Sequence, residues 1–229
     1  MDSLIAYSEL LMRGAVVTVA LALASLALAT FLGALSAAAV IGGGPILRGL
    51  SLIYTTFIRG IPDLVMMLLL YFGGQRLLND IGTRLGWDYV DLSPFLAGML
   101  AIGLIFGAYL SETFRGAYQT VPRGQGEAAR ALGLRPLPTL WNVTLPQLLR
   151  FALPGYANVW QVLVKSTAVV SVIGLNDLVK LAGDAGKTTR EPFTFYLFVF
   201  VFYLFLTWVS QIIFDRLERK YAKGIVDAH

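Results

Sequence analysis

Cysteine is absent from the sequence, and histidine occurs once, as the last residue, His229. Disulfides, thiol catalysis and Cys-ligated metals are thereby excluded. A lone terminal histidine leaves no basis for histidine catalysis or a histidine metal centre, so neither catalytic nor metal-binding residues are expected. Charge is also scarce. Only 14% of the 229 residues are charged and 57% are hydrophobic, whereas a soluble domain carries about 25% charged residues. Mean hydropathy is +0.70. Removal of charge on this scale points to a lipid bilayer. The net charge of +4 is modest and fits loop bias in a membrane protein better than nucleic-acid binding. No internal repeat is evident.

Five apolar segments are long enough to cross a membrane, roughly 14–41, 50–73, 94–114, 151–174 and 193–214. Covering a hydrocarbon core takes about 20 residues of helix. Lipid offers no other partner to backbone groups, so each segment must be helical. The first lacks a small-residue cleavage site after a short apolar stretch and is expected to be retained. With the N-terminus outside, the inner segments hold Arg48, Arg115, Arg123, Arg130, Arg135, Arg150, Arg216, Arg219, Lys220 and Lys223. The outer ones hold Arg13, Arg76, Arg84, Lys180, Lys187 and Arg190. The positive excess belongs inside. The expected fold is an all-α integral membrane protein of about five transmembrane helices, N-out and C-in. It forms one transmembrane domain over residues 1–229.

Residues 122–150 are too polar to span and too patterned to be a linker. Pro122 suits a helix start, and Glu127 then falls in an early turn, where its charge suits the helix dipole. Ala128, Ala129 and Ala131 would let another protein approach closely. Gly133 can take φ > 0 and end the helix, and Pro136 and Pro138 stop it from resuming at once. A second short helix leads through Leu145-Pro146 into the fourth span. Two readings stand: an amphipathic interfacial loop, or a helix–turn–helix that meets a protein partner.

Ionisable groups inside spans cost roughly 2.5–3.5 kcal/mol each at a helix centre. Arg59 and Asp63 are four apart on span two, on one helical face, with a kink expected at Pro62. They form either an ion pair that cancels its own cost or a pathway in which Asp63 attracts a cationic side chain. Tyr109 and Glu112 share a face of span three. Glu112 pairs with Arg115, contacts another subunit, or meets substrate. Asn158, Gln161 and Lys165, continued by Ser166 and Thr167, make a polar stripe on span four that must face protein or water.

The order Glu127-Ala128-Ala129, Gly133, Val143, Leu145-Pro146 resembles the EAA signature of ABC importer permeases, departing from it only in Val for the commoner Ile. Thr56-Phe-Ile-Arg-Gly-Ile-Pro-Asp-Leu64, Gly107-Ala-Tyr-Leu-Ser-Glu-Thr-Phe-Arg-Gly116, Lys165-Ser-Thr-Ala-Val-Val-Ser-Val-Ile-Gly174 and Ala185-Gly-Lys-Thr-Thr-Arg-Glu-Pro-Phe193 resemble polar amino-acid permeases. They look most like the Q-type subunit of the histidine/octopine/nopaline class. The resemblance covers nearly the whole chain. It implies a non-enzymatic permease subunit in a bacterial inner membrane, with residues 122–150 as the loop that couples it to the motor. Glu127, Ala128, Ala129, Gly133, Leu145 and Pro146 would then couple to the ATPase. Asp63, Arg59, Tyr109, Glu112, Asn158, Gln161, Lys165 and Ser166 would lie along the substrate pathway.

The implied partners are a second homologous permease, two copies of a cytoplasmic ATPase that uses ATP and Mg, and a periplasmic solute-binding protein. A polar, cationic amino acid or opine would be the cargo, with lipid around the chain. Asp63 after the proline fits the cationic-substrate branch. Val159 departs from relatives that place a glutamate after the asparagine, which leaves part of a site to the paired subunit. No cofactor is expected on this chain. Gly186-Lys187-Thr188 is no phosphate-binding loop, because the glycine required five positions earlier is Leu181. The rival class is a self-contained secondary transporter or channel. Such transporters usually carry inverted repeats and membrane carboxylates.

Overall fold

A computed structural model describes residues 2–222. Lys223 and His229, used in the charge reading above, lie outside them. The described residues form helices and connections with no strand. Helix α1 (Asp2–Ala6) leads into α2 (Ser8–Gly42), and α3 (Pro45–Arg59) follows after a two-residue break. Helix α4 (Asp63–Leu68) runs through a wide π turn, Leu69–Gly73, into α5 (Gly74–Leu85). Helix α6 (Pro94–Thr120) precedes α7 (Arg123–Ala131) and the short α8 (Pro136–Thr139). A second π turn, Leu140–Thr144, joins α8 to α9 (Leu145–Ser166), which tightens to a 3-10 segment at Thr167–Ile173. Helices α10 (Leu178–Thr189) and α11 (Pro192–Ala222) complete the described residues.

Four stretches are long and apolar enough to cross a membrane: Ser8–Gly42, Pro94–Thr120, Pro136–Ile173 and Pro192–Tyr221. A fifth arises if Pro45–Arg59 and Asp63–Leu85, bent by 109°, count as one broken span. Over 50–73 the structure goes beyond the kink expected at Pro62: one helix ends at Arg59 and the next starts at Asp63. The break has a local cause. Proline cannot donate an N–H, and it drives the residue before it out of the helical region. Pro62 itself sits extended, at φ −59° and ψ 137°. The flanking charges suit the break: Arg59 lies in the last turn of α3 and Asp63 in the first turn of α4, where a cation and an anion each oppose the local dipole.

Helices α2 and α6 form the centre, because small residues let their backbones approach. A Cβ added at Gly33 would stand 2.7 Å from the Leu110 Cβ and 3.0 Å from the Gly107 carbonyl oxygen. Beside this contact, three buried serines tie α2, α3 and α6 together. The Ser36 and Ser51 hydroxyls lie 2.6 Å apart, Ser51 also donates to the Ser36 carbonyl at 2.9 Å, and Ser111 donates to Ser36 Oγ at 2.8 Å. Gly33→Val should consequently separate the two helices at a cost of about 1–3 kcal/mol. Its measure is the melting temperature of the detergent-solubilised protein. An unchanged melt would show that the close approach does not hold the pair.

The segment between α5 and α6 is pinned by two amides. The Gln75 side chain accepts from the Leu92 N–H at 2.6 Å and donates to the Val90 carbonyl. Asn79 accepts from the Val90 N–H and donates to the Val90 carbonyl, both at 2.9 Å. Trp87 and Tyr89 are held out on this segment, both exposed.

Candidate functional site

The coupling candidate starts at Val121–Pro122. Pro122 is the extended residue just before α7 and not part of its first turn, one position off the expected start. Glu127 is the fifth helical residue. The helix ends because Gly133 takes φ +82°. The Gly133 N–H donates to the Arg130 carbonyl at 2.9 Å, and the Leu134 N–H reaches back to the Ala129 carbonyl at 3.1 Å. This paired closure satisfies carbonyls that would otherwise be orphaned. Only a residue at ease with positive φ fits here.

Past the turn, Pro136 starts α8, and the chain runs without a break into α9. Pro146 would clash with a carbonyl of the preceding turn in a regular helix. The π turn avoids this, and the Leu145 N–H donates five residues back to Leu140. Leu145 is half-buried and Pro146 exposed.

Glu127 and Ala128 are exposed, whereas Ala129 is buried and serves internal packing. Glu127, Arg123, Arg130 and Thr144 share a polar cleft of about 640 Å³ with Tyr118 and Gln119 at the end of α6. Sequence reasoning missed the apolar tip beside it. Leu132 is 84% exposed, Leu137 65% and Trp141 61%. The available signal was large apolar residues inside an otherwise polar loop.

The charges in the spans fall into separate groups. Arg59 and Asp63 do not share a helix face, since the helix ends between them, and no ion pair joins them. The Arg59 guanidinium instead lies 5.5 Å from the centre of the Tyr109 ring. Arg59, Tyr109 and Glu112 line one cleft of about 410 Å³ between α3 and α6. Glu112 is also paired with Arg115 at 2.5 Å. Asp63 is half-buried beside Ser166, where α9 gives way to the 3-10 segment. Asn158 and Lys165 are exposed on α9. Gln161 turns to α11 and donates to Gln211, which donates on to Asp215 at 2.7 Å.

A buried polar knot not foreseen from the sequence lies between the last two spans. Asp177 is wholly buried. It caps α10, its Oδ1 accepting the Lys180 N–H at 3.0 Å, while Oδ2 has no partner among the described residues. The Leu178 N–H donates to Thr18 of α2 at 3.1 Å, and the Thr167 and Tyr203 hydroxyls meet at 3.1 Å.

Burial pushes the Asp177 carboxyl up from 3.8 to about 6. The folded state thus holds this proton more tightly than the unfolded state. Its contribution favours folding below about pH 4 and declines as pH rises to about 6, by about 3 kcal/mol in all. Asn caps as well as Asp, so Asp177→Asn should keep the helix start. Melting temperatures of both proteins between pH 4 and 8 should diverge through that window, the wild type losing stability relative to the variant. Parallel curves would refute the burial argument.

Comparison with known proteins shows the family. Residues 29–223 match the family model described as "Binding-protein-dependent transport system inner membrane component". The chain is 44% identical over 219 residues to the histidine/lysine/arginine/ornithine transport system permease protein HisQ of Salmonella typhimurium, covering 96% of each chain. It is 40% identical over 221 residues to the nopaline transport system permease protein NocQ of Agrobacterium fabrum, covering 96% of this chain and 94% of that one. A crystal structure of an amino acid ABC transporter with histidines superposes with a TM-score of 0.82 at 29% identity, over 95% of this chain and 97% of that one. A family match over residues 29–223 and near full-length likeness to these permeases show that the chain belongs to the family of binding-protein-dependent transport system inner membrane components, as an inner-membrane permease subunit of an ABC importer and not an enzyme.

Proposed function

We propose that this permease carries cationic amino acids or opines, and that residues 122–150 are its docking element for a cytoplasmic ATPase. The observation that carries the docking proposal is the exposed apolar tip, with Leu132 at 84% exposure, standing beside the exposed Glu127 at a sharp Gly133 turn. Apolar side chains held out this far are expected to be covered by a partner. With the N-terminus outside, the inner segments hold more Lys and Arg than the outer ones, which supports N-out, C-in. The loop would then lie in the cytoplasm. The relatives named for histidine, lysine, arginine, ornithine and nopaline transport support a basic cargo. The half-buried Asp63 supports it independently.

In this reading the chain pairs with a second, homologous permease, and two ATPase copies that use ATP and Mg sit beneath the pair. A solute-binding protein delivers the amino acid to residues 75–93 and 177–192. Closure of the ATPases moves the two coupling elements. Helix α8 continues through α9 without a loop, so a push at the tip can reach Ser166 and Asp63 as a rigid-body motion. Asp63, Arg59, Tyr109, Glu112, Asn158, Gln161, Lys165 and Ser166 serve the pathway. Glu127, Ala128, Gly133, Leu145 and Pro146 serve coupling, and the buried Ala129 holds α7 in place.

The deciding experiment is reconstitution of the permease pair in vesicles with binding protein, with and without the ATPase. ATP-driven arginine uptake that requires the ATPase is the expected result. Uptake without it would replace this reading with a self-contained transporter.

A further inference from the structure

We propose that the cleft between α3 and α6 recognises the zwitterionic head common to α-amino acids, with Arg59 taking the α-carboxylate and Glu112 the α-ammonium. This rests on the reading above that the chain carries amino acids. It separates recognition of the head group from recognition of the side chain by Asp63.

Three observations meet in the cleft. First, Arg59 is an exposed cation in an apolar segment with all five of its N–H donors unused among the described residues. A guanidinium left this way at membrane depth is costly unless water, protein or a ligand meets it. Its planar fork matches a carboxylate through two parallel hydrogen bonds. Tyr109, 5.5 Å from the guanidinium carbon, restrains the fork through its ring face.

Second, Glu112 lines the same cleft and is only half occupied. Arg115 donates both of its bonds, from Nε at 3.1 Å and from Nη2 at 2.5 Å, to the one oxygen Oε2. Oε1 has no donor among the described residues. Arg115 orients the carboxylate through Oε2, and Oε1 remains free to accept from an ammonium.

Third, Arg59 and Glu112 carry opposite charges in one cleft yet form no ion pair with each other. Two opposed charges held apart in a cavity of about 410 Å³ suit a ligand that itself carries a negative and a positive group on one carbon. Thr55 and Thr56 line the same cleft. A mono-charged ligand would satisfy one side and leave the other desolvated and unpaired, which costs more than the missing contact alone.

The test uses the detergent-purified complex of this chain with its permease partner and ATPase, without binding protein, so that selection outside the membrane does not intrude. Binding of radiolabelled arginine is competed with unlabelled arginine, with agmatine, which lacks the α-carboxylate, and with argininic acid, which lacks the α-ammonium. In the wild type, agmatine and argininic acid should each compete roughly ten- to a hundredfold more weakly than arginine, the span of a charge-assisted hydrogen bond. Arg59→Gln should weaken arginine by the same factor and leave agmatine unchanged, so that the two become equal. Arg59→Lys, which keeps the charge without the fork, should retain part of the gap. Glu112→Gln should close the gap to argininic acid.

Agmatine competing as well as arginine in the wild type would overturn the clamp without recourse to any variant. So would an unchanged arginine–agmatine gap in Arg59→Gln, or a wild-type complex that binds no arginine. A complex that imports arginine with ATP yet shows any of these results refutes the clamp and leaves the transport reading intact. A complex that imports no basic amino acid refutes the transport reading itself.

Discussion

Replacing Gly133 with valine is expected to abolish ATP-coupled uptake while leaving the membrane helices folded. Gly133 sits at φ +82°, yet a Cβ built on it would meet nothing within 4 Å. The obstacle is therefore backbone conformation and not crowding. A β-branched residue at positive φ is strained by about 1–3 kcal/mol, enough to shift a turn roughly ten- to a hundredfold toward other conformations. The bonds from Gly133 to Arg130 and from Leu134 to Ala129 would open. Leu132 and Leu137 would then leave the positions from which they reach a partner. Asparagine tolerates the left-handed region, so Gly133→Asn should keep most of the transport. The measurement is uptake and ATPase co-purification for wild type, Gly133→Asn and Gly133→Val. Valine and asparagine variants that transport equally well would show that the turn does not couple the motor.

Asp63→Asn is expected to slow uptake of a cationic amino acid by about ten- to a hundredfold, since a charge-assisted contact is worth roughly 1.5–3 kcal/mol. Uptake of a neutral substrate such as glutamine should change little. The continuous-helix reading allowed Asp63 to be spent neutralising Arg59. The broken helix removes that role within the chain, because Arg59 packs on Tyr109 and Asp63 lies beside Ser166. For the same reason Arg59→Gln should not rescue Asp63→Asn. Equal losses for arginine and glutamine in assembled complexes would leave Asp63 a structural residue.

Much of the segment over residues 122–150 could be read residue by residue. Proline, glycine and the helix dipole act over a few positions, so the Gly133 turn and the entry through Pro146 follow from local chemistry. Ala129 could not be assigned this way. Its exposure depends on which face of α7 meets the rest of the chain, and the helix turned it inward while leaving Ala128 outside. Arg59, Asp63 and Glu112 were recognisable as costly charges inside spans, but their grouping with other residues was not. Arg59–Tyr109–Glu112 and Asp63–Ser166 each combine residues from different helices, and helical spacing is silent about neighbours across a packing interface.

Composition and hydropathy by themselves determined that this chain is an α-helical membrane protein, because lipid offers backbone groups no alternative to internal hydrogen bonds. The absence of cysteine and the single histidine bounded its chemistry, and Gly-Pro punctuation marked where its helices would stop. The tertiary structure alone decided the 109° angle at which span two breaks, the burial of Asp177, and the pairing of Arg59 with Tyr109 in place of Asp63. A proline frees a helix from its ladder without choosing its new direction. That choice came from the packing of α4 and the following π turn against α6, and of α4 against the 3-10 segment after α9, where contacts distant in sequence outweigh the weak preferences of the chain around Pro62.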